Sequence, residues 1–349
     1  MGRTSKLSSE VFTTSMIKVA VDATGGDLGS APVLAGVRGA LKADPDLYVN
    51  LYCDKSSHRD ASLNSNFSRS LKSRLELHLC SDSVEMDEKP IQALRTKSSS
   101  SMALAIQSVK ENKNDAILSS GNTAALVGFG LQLLGTIEGV SRPAICTALP
   151  SSKGRTWFLD MGANLEPTAE QMLVNARMGA SQCRLIDGIQ SPRVGVLNVG
   201  SEMMKGTRKE QELAAQLIKE PNMNFVGFAE GADLFSGAFD LVVCDGFAGN
   251  VALKTAEGVA EFLTDELKTT LSRHWAARFC YLLLRHDLRD MRRRIDPARY
   301  NGAALLGLDG LVVKSHGASK TVGFQNALLL TAELVRLGAL PYLKGEILS

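Results

Sequence analysis

Four side chains able to carry positive charge, Lys205, Lys254, Lys314 and His316, lie within or one helical turn beyond short stretches that pair glycine with an acid or an amide. The longest is LVVCDGFAGNVALKTAEG, residues 241–258, where an apolar β-branched run passes through Asp245-Gly246-Phe247-Ala248-Gly249-Asn250 into a helical pattern bearing Lys254. Five more share its character: DATGGD (22–27), SSGNT (119–123), DMGAN (160–164), NVGSEMMKG (198–206) and KSHGAS (314–319). Glycine lets backbone approach a ligand closely, and N–H groups stacked at a turn beside an ammonium or imidazole suit an oxyanion such as phosphate. Any one stretch serves equally well as a turn or helix cap, for which Gly, Asn and Asp are the usual residues. Six together point to phosphate.

The elements that must position these residues are legible around them. Each stretch separates a strand-like run from a helical pattern: IKVAVDA before APVLAGVRGALKA, DAILSS before NTAALVGFGLQLLG, TWFLDMG before PTAEQMLVNARMG, RVGVLNVG before RKEQELAAQLIKE, LVVCDG before NVALKTAEGVAEFL, and GLVVKSHG before GFQNALLLTAELVRLG. Six such units predict an α/β fold, a three-layer α/β/α arrangement about a largely parallel sheet. In such sheets ligands gather where strands end and helices present free N–H groups. The sequence has no GxxxxGK[ST], no GxGxxG after a strand, no GxSxG and no HExxH. Nucleotide, dinucleotide, activated-serine and zincin chemistry therefore lack their motifs, and phosphate reads as a reactant or part of a small ligand.

At 349 residues, 44% hydrophobic and 22% charged, the chain can bury a large core, and a net charge of +2 does not mark a nucleic-acid binder. Six cysteines show no metal-ligand spacing and read as buried reduced thiols of a cytoplasmic protein. Residues 1–16 read as a flexible polar tail, and residues 17–349 as one catalytic domain. No apolar run reaches the roughly 20 residues of a spanning helix.

From about 259 to 297 the strand signals stop. Leu263, Leu267, Leu271 and Trp275 form one apolar stripe, and Leu284, Leu288, Met291 and Ile295 form another. Between them lies the apolar cluster 275–284, which predicts a protruding helical hairpin with an apolar tip. Residues 273–299 hold eight arginines against three aspartates, so the positive charge is concentrated here. A basic amphipathic insert can rest on an anionic membrane or meet an acidic protein; a helix pair whose arginines merely face water, or that forms a dimer, has the same pattern.

The blocks VDATGGD, LSSGNTAAL, FLDMGAN, VGVLNVGSEMMKG, LVVCDGFAGNVALKTAEG and LLGLDGLVVKSHGAS closely resemble, in order and over nearly the whole chain from Ile17, the bacterial phosphate acyltransferase family PlsX. Two positions depart from its pattern: Thr24 replaces Met, and Ser201 replaces Glu or Thr. The resemblance implies a fold similar to the phosphotransacetylases and the isocitrate/isopropylmalate dehydrogenase group. It implies an enzyme that moves a fatty acyl group from acyl carrier protein to inorganic phosphate, giving acyl phosphate for phospholipid synthesis. It further implies a homodimer on the inner face of the membrane, passing product to a membrane glycerol-phosphate acyltransferase, with no metal or other cofactor and no nucleic acid.

By the same resemblance, and because the chemistry fits, Lys205 and Asn250 form the leading catalytic pair, with His316 as proton donor to the departing sulfur. The implied substrate-binding set comprises Asp22, Gly25, Gly26 and Asp27; Ser120, Gly121, Asn122 and Thr123; Asp160, Gly162, Ala163 and Asn164; Glu202; Asp245, Gly246, Gly249 and Lys254; and Lys314 with Ser315. The aspartates are expected to orient loops, because phosphate arrives ionised. Membrane contact falls to Trp275, Phe279, Tyr281, Leu282, Leu283 and Leu284. Two alternatives stay open: a phosphotransacetylase for small acyl-CoA, and a non-catalytic membrane scaffold for acyl carrier protein.

Overall fold

The computed structural model describes residues 16–63 and 67–348, so the expected tail lies outside the described residues except for Met16. The chain begins with β1 (Ile17–Asp22), α1 (Ser30–Ala43), β2 (Leu47–Cys53), α2 (Lys55–Leu63), α3 (Arg69–Lys72), β3 (Leu75–Leu79), α4 (Pro90–Thr96), α5 (Ser101–Lys110), β4 (Ala116–Ser119) and α6 (Thr123–Leu133). It continues through β5 (Ala144–Ser151), β6 (Gly154–Leu159), α7 (Ala169–Asp187), β7 (Arg193–Leu197), α8 (Arg208–Leu217), β8 (Asn224–Ala229), β9 (Leu241–Val243) and α9 (Gly246–Ser272). It ends with α10 (Trp275–Ile295), β10 (Ala303–Leu306), β11 (Leu311–Lys314), α11 (Thr321–Arg336) and α12 (Ala339–Leu348).

All six expected strand–corner–helix units form. They belong to one 11-stranded sheet ordered β3-β2-β1-β4-β11-β10-β5-β6-β9-β7-β8. From β3 to β11 the strands run parallel, and so do those from β6 to β8. The antiparallel pairs β11–β10, β10–β5 and β5–β6 lie between them, so the two parallel halves run in opposite directions. Alternate residues of the central strands enter different cores: Val19, Val21, Leu118 and Val313 join one, Ala20, Ile117 and Val312 the other. Burial on both faces produces the three layers and explains why these strands read as continuous apolar runs.

The helical insert differs from expectation in two respects. Its first helix begins at Gly246, so α9 runs unbroken through position 259 and spans 27 residues, about 40 Å at the helical rise. The cluster 275–284 is not a tip between helices but the first half of α10, which starts after a turn where His274 Nδ1 accepts the Ala277 N–H at 3.1 Å. Along the hairpin Phe262, Leu263, Tyr281, Leu282, Leu283 and Leu284 are all exposed. The side chains of Trp275 and Phe279 lie outside the described residues. Among the described residues, no helix is long and apolar enough to cross a membrane.

Candidate active site

Because β1, β4 and β11 are neighbours in the sheet, the corners that follow them meet. Fully buried Asp22 accepts the hydroxyls of Ser101 at 2.6 Å and Ser119 at 2.7 Å, and both the N–H and the hydroxyl of Thr24 at 3.3 Å. One carboxylate thus ties β1 to β4 and to the start of α5. Burial raises the Asp22 carboxyl, while these bonds act in the opposite direction. Thr24, one of the two departures from the family pattern, shares a short hydrogen bond with Ser101.

In the same corner the Asp27 N–H donates to Gly317 O at 3.0 Å, and the Gly121 N–H to Ser119 Oγ at 3.0 Å. Lys314 is buried at the end of β11, its ammonium donating to Ser120 O at 3.3 Å and to Ser315 O. Burial pushes this ammonium down to about 8, with Asp27 and Asp22 acting upward and Lys254 downward. Asn301, which the sequence reading missed, clamps the corner: its amide donates to Ser315 Oγ at 2.9 Å and Ser319 Oγ at 2.7 Å, and its oxygen accepts the His316 N–H at 3.0 Å.

A second pair of corners follows β6 and β9, also neighbours. The Gly246 N–H donates to Asn164 O at 2.8 Å. Asp160 accepts the backbone N–H groups of Ile145 at 3.0 Å, Gly162 at 3.1 Å, Ala163 at 3.0 Å and Asn164 at 2.7 Å. Burial nonetheless raises its carboxyl. Asp245 caps α9 by accepting the Ala248 N–H at 2.7 Å, and its other oxygen takes the Lys209 ammonium at 2.8 Å. A β-carbon at Gly249 would stand 2.0 Å from Asp160 O, so only glycine lets α9 start against the β6 corner. Asn250 follows, exposed, with its side chain over Gly162.

The two sets are joined through α9. Lys254 lies four residues beyond Asn250 and hence on the same helix face. Its Nζ is 2.9 Å from His316 Nε2 and 2.7 Å from Glu257, and His316 Nε2 is 3.5 Å from Glu257. The His316 Nδ1 accepts the Ala318 N–H at 3.1 Å. A neutral imidazole has one lone pair, so the Ala318 N–H at Nδ1 and the Lys254 ammonium at Nε2 compete for it, and Nε2 donates toward Glu257 only in the tautomer that gives up the Lys254 bond. Burial acts to raise the Glu257 carboxyl, but bonds from His316 and Lys254 outweigh it and hold the group low.

Of the expected residues, Asn250, Lys254 and His316 therefore converge, with Lys314, Ser315 and Asp22 directly behind. Lys205 stands on the β7 corner, exposed and 3.7 Å from Glu202; among the described residues neither is hydrogen-bonded to Asn250 or His316. Two expected side-chain donors are engaged within the protein. The Asn122 amide donates to Met86 O at 2.9 Å and Glu88 O at 3.1 Å, and the Asn164 amide to Pro143 O at 2.8 Å and Asp160 at 3.0 Å. Thr123 opens α6 beside them. Ser101, Ser119, Lys209, Glu257 and Asn301 escaped the sequence reading. Glu257 had a signal in its three-residue spacing from Lys254, and Asn301 in its Asn-Gly pair; Lys209 had none.

The fatty acid synthesis protein family model matches residues 17–340. A phosphate acyltransferase of Legionella pneumophila (strain Paris) is 43% identical over 314 residues, 89% of this chain and 91% of that protein. One from Methylococcus capsulatus is 41% identical over 331 residues, 95% and 96% of the two chains. Among solved structures, a phosphotransacetylase from Streptococcus pyogenes superposes with a TM-score of 0.61 at 17% identity, covering 92% of this chain and 94% of that one, which establishes the shared fold. A family match over residues 17–340 and 43% identity to a phosphate acyltransferase over 89% of the chain place this chain in the PlsX family of phosphate acyltransferases.

Proposed function

We propose that the protein transfers a fatty acyl group from the thioester of acyl carrier protein to inorganic phosphate at the junction of the two sets of corners. The observation that carries this reading is the approach of Lys254 to His316, which sets the exposed Asn250 amide one helical turn from the buried Lys314 corner. A phosphate oxygen attacks the thioester carbon, a C–O bond forms, and the tetrahedral oxyanion collapses with cleavage of C–S. Phosphate arrives ionised and thiolate is a fair leaving group, so positioning and electrostatics account for the acceleration. Asn250 donates its amide N–H to the oxyanion, and Lys205 brings its ammonium to the same charge. His316 serves as a hydrogen-bond donor toward the departing sulfur. Solvent then supplies the thiol proton.

The exposed apolar residues of the hairpin support two further contacts. Leu282, Leu283 and Leu284 on α10, beside a surplus of arginine, suit an anionic membrane surface. Val259, Phe262, Leu263 and Leu267 on α9 offer an apolar stripe for a second copy of the chain. Basic surface near the corners suits the acidic carrier protein, and delivery of acyl phosphate to a membrane glycerol-phosphate acyltransferase follows from the same placement.

Asn250→Ala and Lys205→Ala test the assignment. Both side chains are exposed, so both variants should melt with the parent protein while losing about 10²-fold or more in phosphate-dependent turnover, the cost typical of removing one oxyanion donor. Near-parental rates in both would refute it.

A further inference from the structure

The two sets of corners spend their backbone donors differently. In the β6 and β9 corners the loop N–H groups of Gly162, Ala163, Asn164 and Ala248 are already taken by the carboxylates of Asp160 and Asp245. A second anion there would have to displace a fixed one. In the β1 and β4 corners, Asp22 is satisfied chiefly by hydroxyls, and among the described residues no internal carboxylate is bonded to the N–H groups of Gly25, Gly26, Asn122 or Thr123. One polar atom in that set has no partner at all: Ser120 Oγ, in a residue only 2% exposed. A buried hydroxyl left unpaired forfeits the hydrogen bonds it had in water, and a ligand oxygen would restore one.

The three corners close on one another at this hydroxyl. A β-carbon at Gly26 would fall 2.8 Å from Ser120 Oγ and 3.3 Å from Gly317 O, so only glycine fits at position 26 and backbone comes close to the hydroxyl. The Lys314 ammonium lies at the same spot, hydrogen-bonded to the carbonyl of Ser120 itself. Two of its three hydrogens go to backbone oxygens and one is left over. Lys254 adds a second cation within electrostatic reach, and Asp27 stands at the rim.

We infer that the β1–β4–β11 corner is the inorganic-phosphate end of the site, with Ser120 Oγ, the third hydrogen of Lys314 and the free N–H groups of Gly26 and Thr123 as its donors. The thioester arm is then left to the side of Asn250 and Lys205. This inference rests on the acyltransferase reading. The donors are buried and closely grouped, which fits a compact free anion; the phosphodiester of a pantetheine arm is bulkier and tethered to its protein.

The test uses the full-length chain carrying Ser120→Ala, and Ser120→Ala combined with Gly26→Ala, which puts a methyl group beside residue 120 and Gly317 after removing the hydroxyl it would strike. Retention of radiolabelled inorganic phosphate is measured by equilibrium dialysis without thioester, and the KM values for phosphate and for palmitoyl carrier protein are measured separately. Ser120→Ala should raise the phosphate KM about tenfold, the loss expected for one hydrogen bond to an anion, and the double variant should lose phosphate retention, both with the thioester KM unchanged. Unaltered phosphate retention in the folded double variant, or a rise confined to the thioester KM, would overturn the assignment. If the parent retains phosphate, the double variant does not, and neither turns over thioester, the phosphate site stands and the acyltransferase reading fails.

Discussion

Asp22, Asp160 and Asp245 organise the site without facing it. Each spends its oxygens on hydroxyls, backbone N–H groups or Lys209, and so fixes where the neighbouring glycines, amides and cations stand. Lys314 is the reverse case, a charge held in a buried place at a cost. Its ammonium is displaced downward, from 10.5 to about 8, so between these values the unfolded chain binds more protons than the folded one and stability rises with pH. Below about 8 the penalty is present in full. Lys314→Met should therefore raise the melting temperature at pH 7 without phosphate, and chemical denaturation at pH 7 and 10 should show the parent gaining on the variant. A parallel pH dependence in both proteins would contradict the burial argument. Residue types at the corners were legible in the sequence because glycine next to Asp, Asn or Lys is a local signal. Partnerships such as Asn301 with Ser315 or Lys209 with Asp245 were not, because they are set by which strands become neighbours.

At the level of elements, α9 does two jobs. Its second and third turns present Asn250 and Lys254 to the corners, and its distal half carries the hairpin away from the sheet. The sequence showed the apolar stripes and a helical pattern from Asn250, but DGFAGN read as loop and the insert as starting at about 259; Gly246 opens one unbroken helix instead, with Gly249 packed against Asp160 O. β2, β3, β5, β8 and β10 went unread: β5 and β10 pass into another strand rather than a helix, β8 passes into a single 3-10 turn, and the turns after β2 and β3 hold no glycine. The exposure of Leu282, Leu283 and Leu284 yields a prediction for the hairpin. Replacing all three by Glu should abolish co-sedimentation with vesicles of anionic phospholipid and leave catalysis in solution intact, since among the described residues no α10 side chain is bonded to the corners. Undiminished sedimentation would remove the membrane role from this segment.

The whole molecule brings two oppositely running parallel half-sheets together across antiparallel strands, and the proposed chemistry lies where their corners meet. Six strand-to-helix units were visible in the chain, and the family pattern supplied their shared purpose. The reversal at β10, β5 and β6 was not visible, since strand direction depends on pairings far apart in sequence. That reversal separates the donors occupied by Asp160 and Asp245 from those left free beside Ser120, and so divides one phosphate-like pattern into two unlike halves. The activity proposed for this junction is tested most directly by release of free thiol from palmitoyl acyl carrier protein, with and without inorganic phosphate, trapping product with hydroxylamine and running acetyl-CoA in parallel. The account predicts phosphate-dependent release with a trappable acyl product from the carrier protein and little from acetyl-CoA. Carrier protein that binds without releasing thiol, or a preference for acetyl-CoA, would contradict it.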